Sequence, residues 1–291
     1  SLVAGLTLGT QSLSVLGSVA LAADAPTLTG VFADGASSAR NEGSVTPSPL
    51  NAKADRPKPD ECLLQAKDVT GPDCRIGDPN GPTVVLFGDS HAQQWQPALA
   101  QIAVDRGWSL VSVTKSGCPV ANIASRSDDA LLSMPECAQW RQQSIDRISS
   151  VLKPSLIVVA QLHNYIPDQG EILTSWNDSL DQLRTLGIPI AYVRDTPWPG
   201  IDIPVCMSAS MDDWSACAFP RDRAMATDPV QLQSLRGNED QVTILDFTSY
   251  LCPDAMCPAA RSGTLFYRDD SHIKIMSCRA LDGPPRSRAI W

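Results

Sequence analysis

Apolar positions in this chain follow two periods, and both begin near residue 60. Five short runs are almost continuously apolar or β-branched: Thr83–Phe87 (TVVLF), Ser109–Thr114 (SLVSVT), Leu156–Ala160 (LIVVA), Pro189–Val193 (PIAYV) and Val242–Phe247 (VTILDF). A strand with one wet face alternates apolar and polar residues, whereas a strand covered on both faces does not. These runs therefore predict buried strands. The stretches His91–Arg106, Ala138–Leu152 and Trp176–Leu186 predict helices between them. In the second, Trp140, Ile145, Ile148 and Leu152 recur at roughly helical spacing. Gly107 and Gly187 follow two of these helices, where a left-handed cap residue is wanted. Strands alternating with helices imply an α/β fold: a parallel, doubly wound sheet with right-handed crossovers. Its ligand site belongs beyond the carboxyl ends of the strands. Asp195 to Gly237 is rich in Pro and Asp and reads as a long insertion.

The first 60 residues break this pattern. Residues 1–23 are uncharged and moderately apolar, long enough to cross a bilayer. Their many Ser, Thr, Gly and Ala residues suit a helix packed against other membrane helices. Residues 1–24 are thus expected to be the end of a transmembrane helix; a signal-peptide remnant ending near Ala-Leu-Ala-Ala-Asp-Ala and a soluble segment are the other readings. Residues 25–60 have no sustained apolar period and are expected to form a flexible linker. The folded domain is expected to span 61–291, with Pro284 and Pro285 interrupting its tail.

A chain of 291 residues, 43% apolar, can bury one sizeable core. A net charge of -9 argues against nucleic acid as a partner, since nothing would offset phosphate repulsion. Eight of the nine cysteines fall into neighbouring pairs, and none has the spacing of a zinc site. Four local disulfides are the economical reading: Cys62–Cys74, Cys118–Cys137, Cys206–Cys217 and Cys252–Cys257, with Cys278 left over. Buried reduced thiols are the alternative. Disulfides persist in oxidising compartments, so the chain is expected outside the cytoplasm.

Candidate chemistry gathers where the fold would put it. The run TVVLF ends at Gly88, and Asp89-Ser90-His91 opens a helical pattern. A serine there has an exposed hydroxyl, and its own N–H can serve a developing oxyanion. Asp89 or Ser90 acting only as a helix cap is the plain alternative. Serine needs a base, and the chain has three histidines. His91 adjoins Ser90 but points in another direction, and His163 follows the third strand; both are candidates to line a substrate pocket. His272 lies in Tyr267-Arg268-Asp269-Asp270-Ser271-His272, where Asp269, three residues earlier, can accept its Nδ1–H bond.

Gly88-Asp89-Ser90 after the first strand and Asp269-x-x-His272 near the end resemble the first and last blocks of the SGNH (GDSL-type) hydrolase superfamily. Gly-Asp-Ser-His, Lys115-Ser116-Gly117-Cys118-Pro119 and Tyr267–His272 together resemble a narrower group. These are SGNH domains fused behind the membrane-embedded acyltransferase-3 domain of bacterial cell-envelope O-acyltransferases. The resemblance spans roughly Cys62 to His272. It implies a three-layer α/β/α, flavodoxin-like fold with a mainly parallel five-stranded sheet. It also implies Ser90 as nucleophile, His272 as general base and Asp269 as its orienting acid. Ser90 and Gly117 would supply oxyanion N–H groups. The family's third block is Gly-x-Asn-Asp; here Leu162-His163-Asn164-Tyr165 offers Asn164 as an oxyanion donor but replaces the Gly and the Asp.

The resemblance implies a membrane-anchored O-acyltransferase on the extracytoplasmic face, with no cofactor. It would move an acyl group, acetyl being the expected one, from a donor delivered by an upstream membrane domain onto an envelope glycan. A carbohydrate esterase with the same triad, a non-catalytic glycan-binding module and a structural envelope domain are the rival readings. Trp95, Trp176 and Trp198 have two possible fates, a sugar groove or the core.

Overall fold

The computed structural model describes residues 18–19, 28–29, 45–58, 62–65, 67–123, 135–165, 169–230 and 242–275. All five apolar runs are strands of one sheet. In chain order its strands are β1 (Leu63–Leu64), β2 (Cys74–Gly77), β3 (Thr83–Gly88), β4 (Ser109–Lys115), β5 (Leu156–Ala160), β6 (Ile190–Val193) and β7 (Val242–Leu245). They lie in the order β7-β6-β5-β3-β4-β1, and β2 pairs antiparallel along the outer part of β4. The five expected strands are parallel, in the order of a flavodoxin-like, doubly wound sheet. The sheet is wider than expected because β1 and β2, too short to show a period, share the free edge of β4.

Successive residues of a strand point to opposite faces, so a run apolar throughout needs a core on each side. Val84, Leu86, Leu156 and Val158 face one core, and Val85, Phe87, Ile157 and Val159 face the other. The helices include α1 (Ser90–Gln93), α2 (Gln96–Arg106), α3 (Pro135–Arg147), α4 (Gln169–Arg184) and α5 (Ile203–Ala209). Ala98 and Ala103 of α2 and Ile203 and Met207 of α5 fill the first core. Trp140 and Ile145 of α3 and Trp176 and Leu180 of α4 fill the second. The result is three layers, with helices on both faces of the sheet.

Boundaries differ from the sequence pattern for local reasons. The expected helix His91–Arg106 is two helices, because Pro97 has no N–H to continue the ladder from α1. The helix after β5 starts at Gln169 rather than Trp176, since Leu173 already belongs to the face that carries Trp176 and Leu180. The last strand stops at Leu245 because the Asp246 carboxylate turns back to accept the Thr248 N–H at 2.8 Å. Gly107 and Gly187 both take φ +66, as caps.

Part of the expected linker is packed on the domain. Thr46 accepts from the Leu265 N–H and donates to the Gly263 carbonyl, and Ala52 is fully buried. Lys53 pairs with Asp202 at 2.9 Å. A small residue and two backbone bonds anchor this segment without any apolar period to announce it. Of residues 1–24, only Ser18–Val19 is described, paired antiparallel with Leu28–Thr29; the rest of the expected membrane helix lies outside the described residues. Among the described residues no helix is long and apolar enough to cross a membrane. Cys278 and the Pro284–Pro285 tail also lie outside them.

Four disulfides join the expected pairs. Cys62–Cys74 joins the segments carrying β1 and β2. Cys206–Cys217 clamps the insertion between α5 and the turn Trp214–Cys217. Cys118–Cys137, 19 residues apart, ties the turn after β4 to the start of α3. Closing a loop of that size restricts the unfolded chain by about 3 kcal/mol. The double variant Cys118→Ser/Cys137→Ser is expected to lose about that much stability, read as a lower midpoint in guanidinium unfolding.

Candidate active site

β3 is flanked by β4 and β5, with Gly88 opposite Thr114 and Ala160. The chain therefore leaves the middle of the sheet at its carboxyl rim, between two other strand ends. Asp89 is the N-cap of α1: its Oδ1 accepts from the His91 N–H at 2.8 Å and the Ala92 N–H at 3.3 Å. Its Oδ2 accepts from the Leu162 N–H at 2.9 Å and from the Tyr165 hydroxyl. Burial pushes this carboxyl upward in pKa, against these donors and the nearby His91 charge. Asp89 thus serves the cap and joins it to the segment after β5. Ser90 is left as the partly exposed first residue of α1.

His272 reaches Ser90 from the far end of the chain. Its Nε2 lies 2.8 Å from Ser90 Oγ. Its Nδ1 lies 3.0 and 3.1 Å from the two oxygens of Asp269, whose Oδ1 also accepts the His272 backbone N–H at 2.7 Å. The segment is held by packing and by backbone bonds. Tyr267 bridges Ile273, Arg268 N–H donates to the His272 carbonyl, and both Tyr267 and Ile273 are buried. The Ile273 N–H donates to Gln94 Oε1 at 2.9 Å, docking the loop directly on the turn after α1. Asp270, the nearer acid in sequence, faces Ser271 instead.

The electrostatics suit a neutral base beside an ionised acid. Burial would raise the Asp269 carboxyl, but hydrogen bonds from the His272 ring and from the backbone of His272 and Ser271 hold it well below the usual range. Burial and the neighbouring His91 push His272 below its ordinary value, outweighing the opposite pull of Asp269. An imidazole kept neutral with its Nδ1–H on a carboxylate presents Nε2 as an acceptor to the serine hydroxyl.

The remaining expected residues separate. Gly117 takes φ +66 in the turn after β4, at the same rim as Ser90, with the Cys118 N–H closing that turn on the Lys115 carbonyl at 3.2 Å. Asn164 is partly exposed, and its Oδ1 accepts from the Thr227 hydroxyl at 3.5 Å. His163, expected at a substrate pocket, is 3% exposed, with Nδ1 on Asp195 at 2.9 Å and Nε2 on the Ala224 carbonyl at 3.0 Å. Both of its nitrogens are used inside the protein, so it belongs to the scaffold. His91 is likewise buried; it packs against the His272 ring, centroids 4.5 Å apart, with Nδ1 on Asp195 at 2.7 Å. Trp95 is buried against Phe247 and Trp176 is fully buried, while Trp198 keeps partial exposure.

Asp195, the acid that joins His91 to His163 behind the Ser90–His272 contact, is a residue that sequence reasoning misses. Its position just past the fourth parallel strand, at the rim, is the available signal. Tyr165 departs from the family block, yet its hydroxyl bonds the Asp89 carboxylate. Leu162, where the family block has Gly, donates its backbone N–H to Asp89 Oδ2 at 2.9 Å. Among the described residues no group of three His, Cys, Asp or Glu side chains is arranged to hold a metal.

A doubly wound sheet with serine, histidine and aspartate hydrogen-bonded in series at its carboxyl rim defines a class: α/β proteins with the geometry for acyl transfer through a serine. Within that class, the model of the family "SGNH domain (fused to AT3 domains)" matches residues 59–279, and the chain belongs to this family. Membership gives it acyltransferase or esterase activity. No curated protein matches the chain by sequence. Among solved structures it is similar to the periplasmic domain of a lipopolysaccharide acetyltransferase from Salmonella ser. Paratyphi A. That match has 11% identity and a TM-score of 0.54, covering 69% of this chain and 81% of that one. A putative acylhydrolase from Bacteroides fragilis gives 13% identity and TM-score 0.42, covering 71% of this chain and 86% of that one.

Proposed function

We propose that this chain is the extracytoplasmic domain of an O-acyltransferase that moves an acyl group, acetyl in the simplest case, onto a cell-envelope glycan. The observation that carries the reading is the unbroken series Ser90–His272–Asp269, with 2.8 Å at its reacting end. Ser90 Oγ attacks the acyl carbonyl carbon while its proton moves to His272 Nε2. The carbonyl oxygen becomes an oxyanion, received by the N–H groups of Ser90 and Gly117 and, in this reading, by the Asn164 side chain. Collapse breaks the bond to the donor's leaving group, which takes the proton from His272 and leaves Ser90 acylated. An acceptor hydroxyl then attacks the acyl carbon, giving its proton to His272. Ser90 leaves as the new ester forms and recovers that proton.

Fusion of this family to AT3 domains supports an upstream membrane partner that supplies acyl groups. Four disulfides support an oxidising compartment. Hydrolysis is the second reading, favoured by the partial exposure of Ser90 and of the His272 side chain, which is 19% exposed. Water and a sugar hydroxyl would attack the same acyl-enzyme, and the difference lies in what excludes water.

The test supplies an activated acetyl ester and an oligosaccharide from the envelope, then weighs the products by mass spectrometry. A sugar heavier by one acetyl group, formed in the presence of wild type and absent without it, is the expected result. Release of free acetate alone, with no sugar ester at any acceptor concentration, would sink the transferase and leave the esterase.

A further inference from the structure

Behind the Ser90–His272–Asp269 series lies a second imidazole–carboxylate pair that the reaction as described does not use. Asp195, 2% exposed, divides its oxygens between two histidines. Oδ1 accepts from His91 Nδ1 at 2.7 Å; Oδ2 accepts from the His163 backbone N–H at 3.0 Å and from His163 Nδ1 at 2.9 Å. His163 is in turn anchored through Nε2 to the Ala224 carbonyl at 3.0 Å. The carboxylate is therefore fixed from two elements, and it fixes His91. The His91 ring then lies against the His272 ring at 4.5 Å, tilted by 42°.

Packing alone does not account for this arrangement. His91 Nε2 is buried and has no hydrogen-bond partner among the described residues. A buried polar nitrogen without a partner costs stability that a phenyl ring in the same place would not. An ionised carboxylate buried this deeply needs a countercharge; two imidazoles face it, His91 at Oδ1 and His163 at Oδ2, with His91 the stronger influence. Burial would favour the uncharged His91 ring, but Asp195 at hydrogen-bond distance outweighs it and raises the His91 pKa. Asp195 is correspondingly held below the usual carboxylate range, although burial works the other way.

We propose that His91 is a positioning residue: Asp195 holds its imidazolium against His272, and that fixed charge keeps His272 neutral and ready to take the Ser90 proton at mildly acidic pH. The proposal rests on the Ser90–His272 reading. The other charges facing the two rings are Asp269 and Arg268 beside His272, and Asp89, Asp195 and Asp269 around His91. Lys53 lies farther out, toward Asp269 and Asp270. Asp269 favours a charged His272, and His91 opposes it. Removing the His91 charge leaves Asp269 less opposed, so His272 would hold its proton to higher pH. The acidic limb of activity would then move upward in pH.

The experiment measures two profiles against pH, in wild type, His91→Phe and Asp195→Asn. One is the rate at which a fluorophosphonate labels Ser90; the other is the ring-nitrogen NMR titration of the histidines, of which the chain has three. His91→Phe keeps a ring against His272 and removes its charge; Asp195→Asn removes the carboxylate that holds His91 protonated. In both variants the His272 midpoint is expected to rise. Labelling on the acidic limb is expected to fall about tenfold further than on the plateau, the effect of one unit in midpoint. A lower plateau with an unmoved His272 midpoint would show that His91 only packs, and would overturn the proposal while leaving the nucleophile in place. A wild type that never labels would instead remove the acyl-enzyme reading, with the NMR midpoints still deciding the role of His91. Should neither variant fold, the wild-type spectrum decides: a charged His91 throughout the titration of His272 supports the proposal, and an uncharged one ends it.

Discussion

Ser90→Ala is expected to abolish fluorophosphonate labelling and to lower ester turnover by about 10³ to 10⁶-fold with the fold intact. The physical reason is that the three groups act as a unit. Without Oγ there is no acyl-enzyme, and what remains is whatever the oxyanion N–H groups do for attack by water. His272→Ala is expected to be about as damaging, because an unassisted serine hydroxyl is a poor nucleophile. The double variant is expected to be no worse than either single one, since each already removes the whole route. Asp269→Asn tests the orienting contact. An amide in place of the carboxylate can no longer accept two contacts with a full negative charge from His272 Nδ1, at 3.0 and 3.1 Å in the structure. The imidazole is then free to settle in the wrong tautomer, and a loss of about 10⁴-fold is expected. Full activity in Ser90→Ala would remove the site altogether. Additive losses in the double variant would mean that the 2.8 Å contact between Ser90 and His272 is incidental.

Much of this arrangement is legible in the sequence. A run such as Thr83–Phe87, apolar on both parities, needs two cores, and that alone demands helices on both faces of a sheet. The capping glycines, the four cysteine pairs and the reach of His272 to Ser90 follow from local composition and the family blocks. What stays hidden is long-range or backbone-borne. β1 and β2 carry no period because they borrow the edge of β4. The segment around Ala52 is seated by two backbone bonds and one small residue, neither of which marks a sequence. In the sequence Asp195 is the first residue of a Pro-rich loop. Only the sheet brings it between His91 and His163, 104 and 32 residues away. His163 misleads for the same reason: the position after a third strand is right for a site residue, but the partner that turns its ring inward is supplied from the end of β6. Tyr165 shows the converse, a departure from a family block that changes which group bonds Asp89 without emptying the position.

Gly88→Ala is expected to be severely damaging, and a second glycine isolates the cause. Gly88 takes φ +152, which side chains rarely adopt, and a Cβ built there would lie 1.9 Å from the Ala160 carbonyl oxygen and 2.8 Å from Ala92 Cβ. The first clash is with the backbone of β5, and the second is with the helix that carries Ser90. Neither neighbour is the end of a flexible side chain, so one of them must move. Gly107 also has positive φ, at +66, but nothing lies within 4 Å of its Cβ position. Gly107→Ala therefore bears only the conformational cost, about 1–2 kcal/mol. Gly88→Ala adds steric overlap at a strand-to-helix turn, and a loss of about 4 kcal/mol or more is expected, a size tied to strain at a special backbone position. Thermal unfolding of the two variants is expected to separate them by roughly ten degrees. Below its own midpoint, Gly88→Ala is also expected to lose labelling at Ser90, whereas Gly107→Ala keeps it. The displaced element is the one that aims the hydroxyl: a shift of α1 by about an ångström lengthens the 2.8 Å contact with His272 beyond hydrogen-bond reach. Equal midpoints for the two variants, or normal labelling of folded Gly88→Ala, would show that the turn out of β3 tolerates a side chain and that the glycine is not what sets Ser90 at the rim.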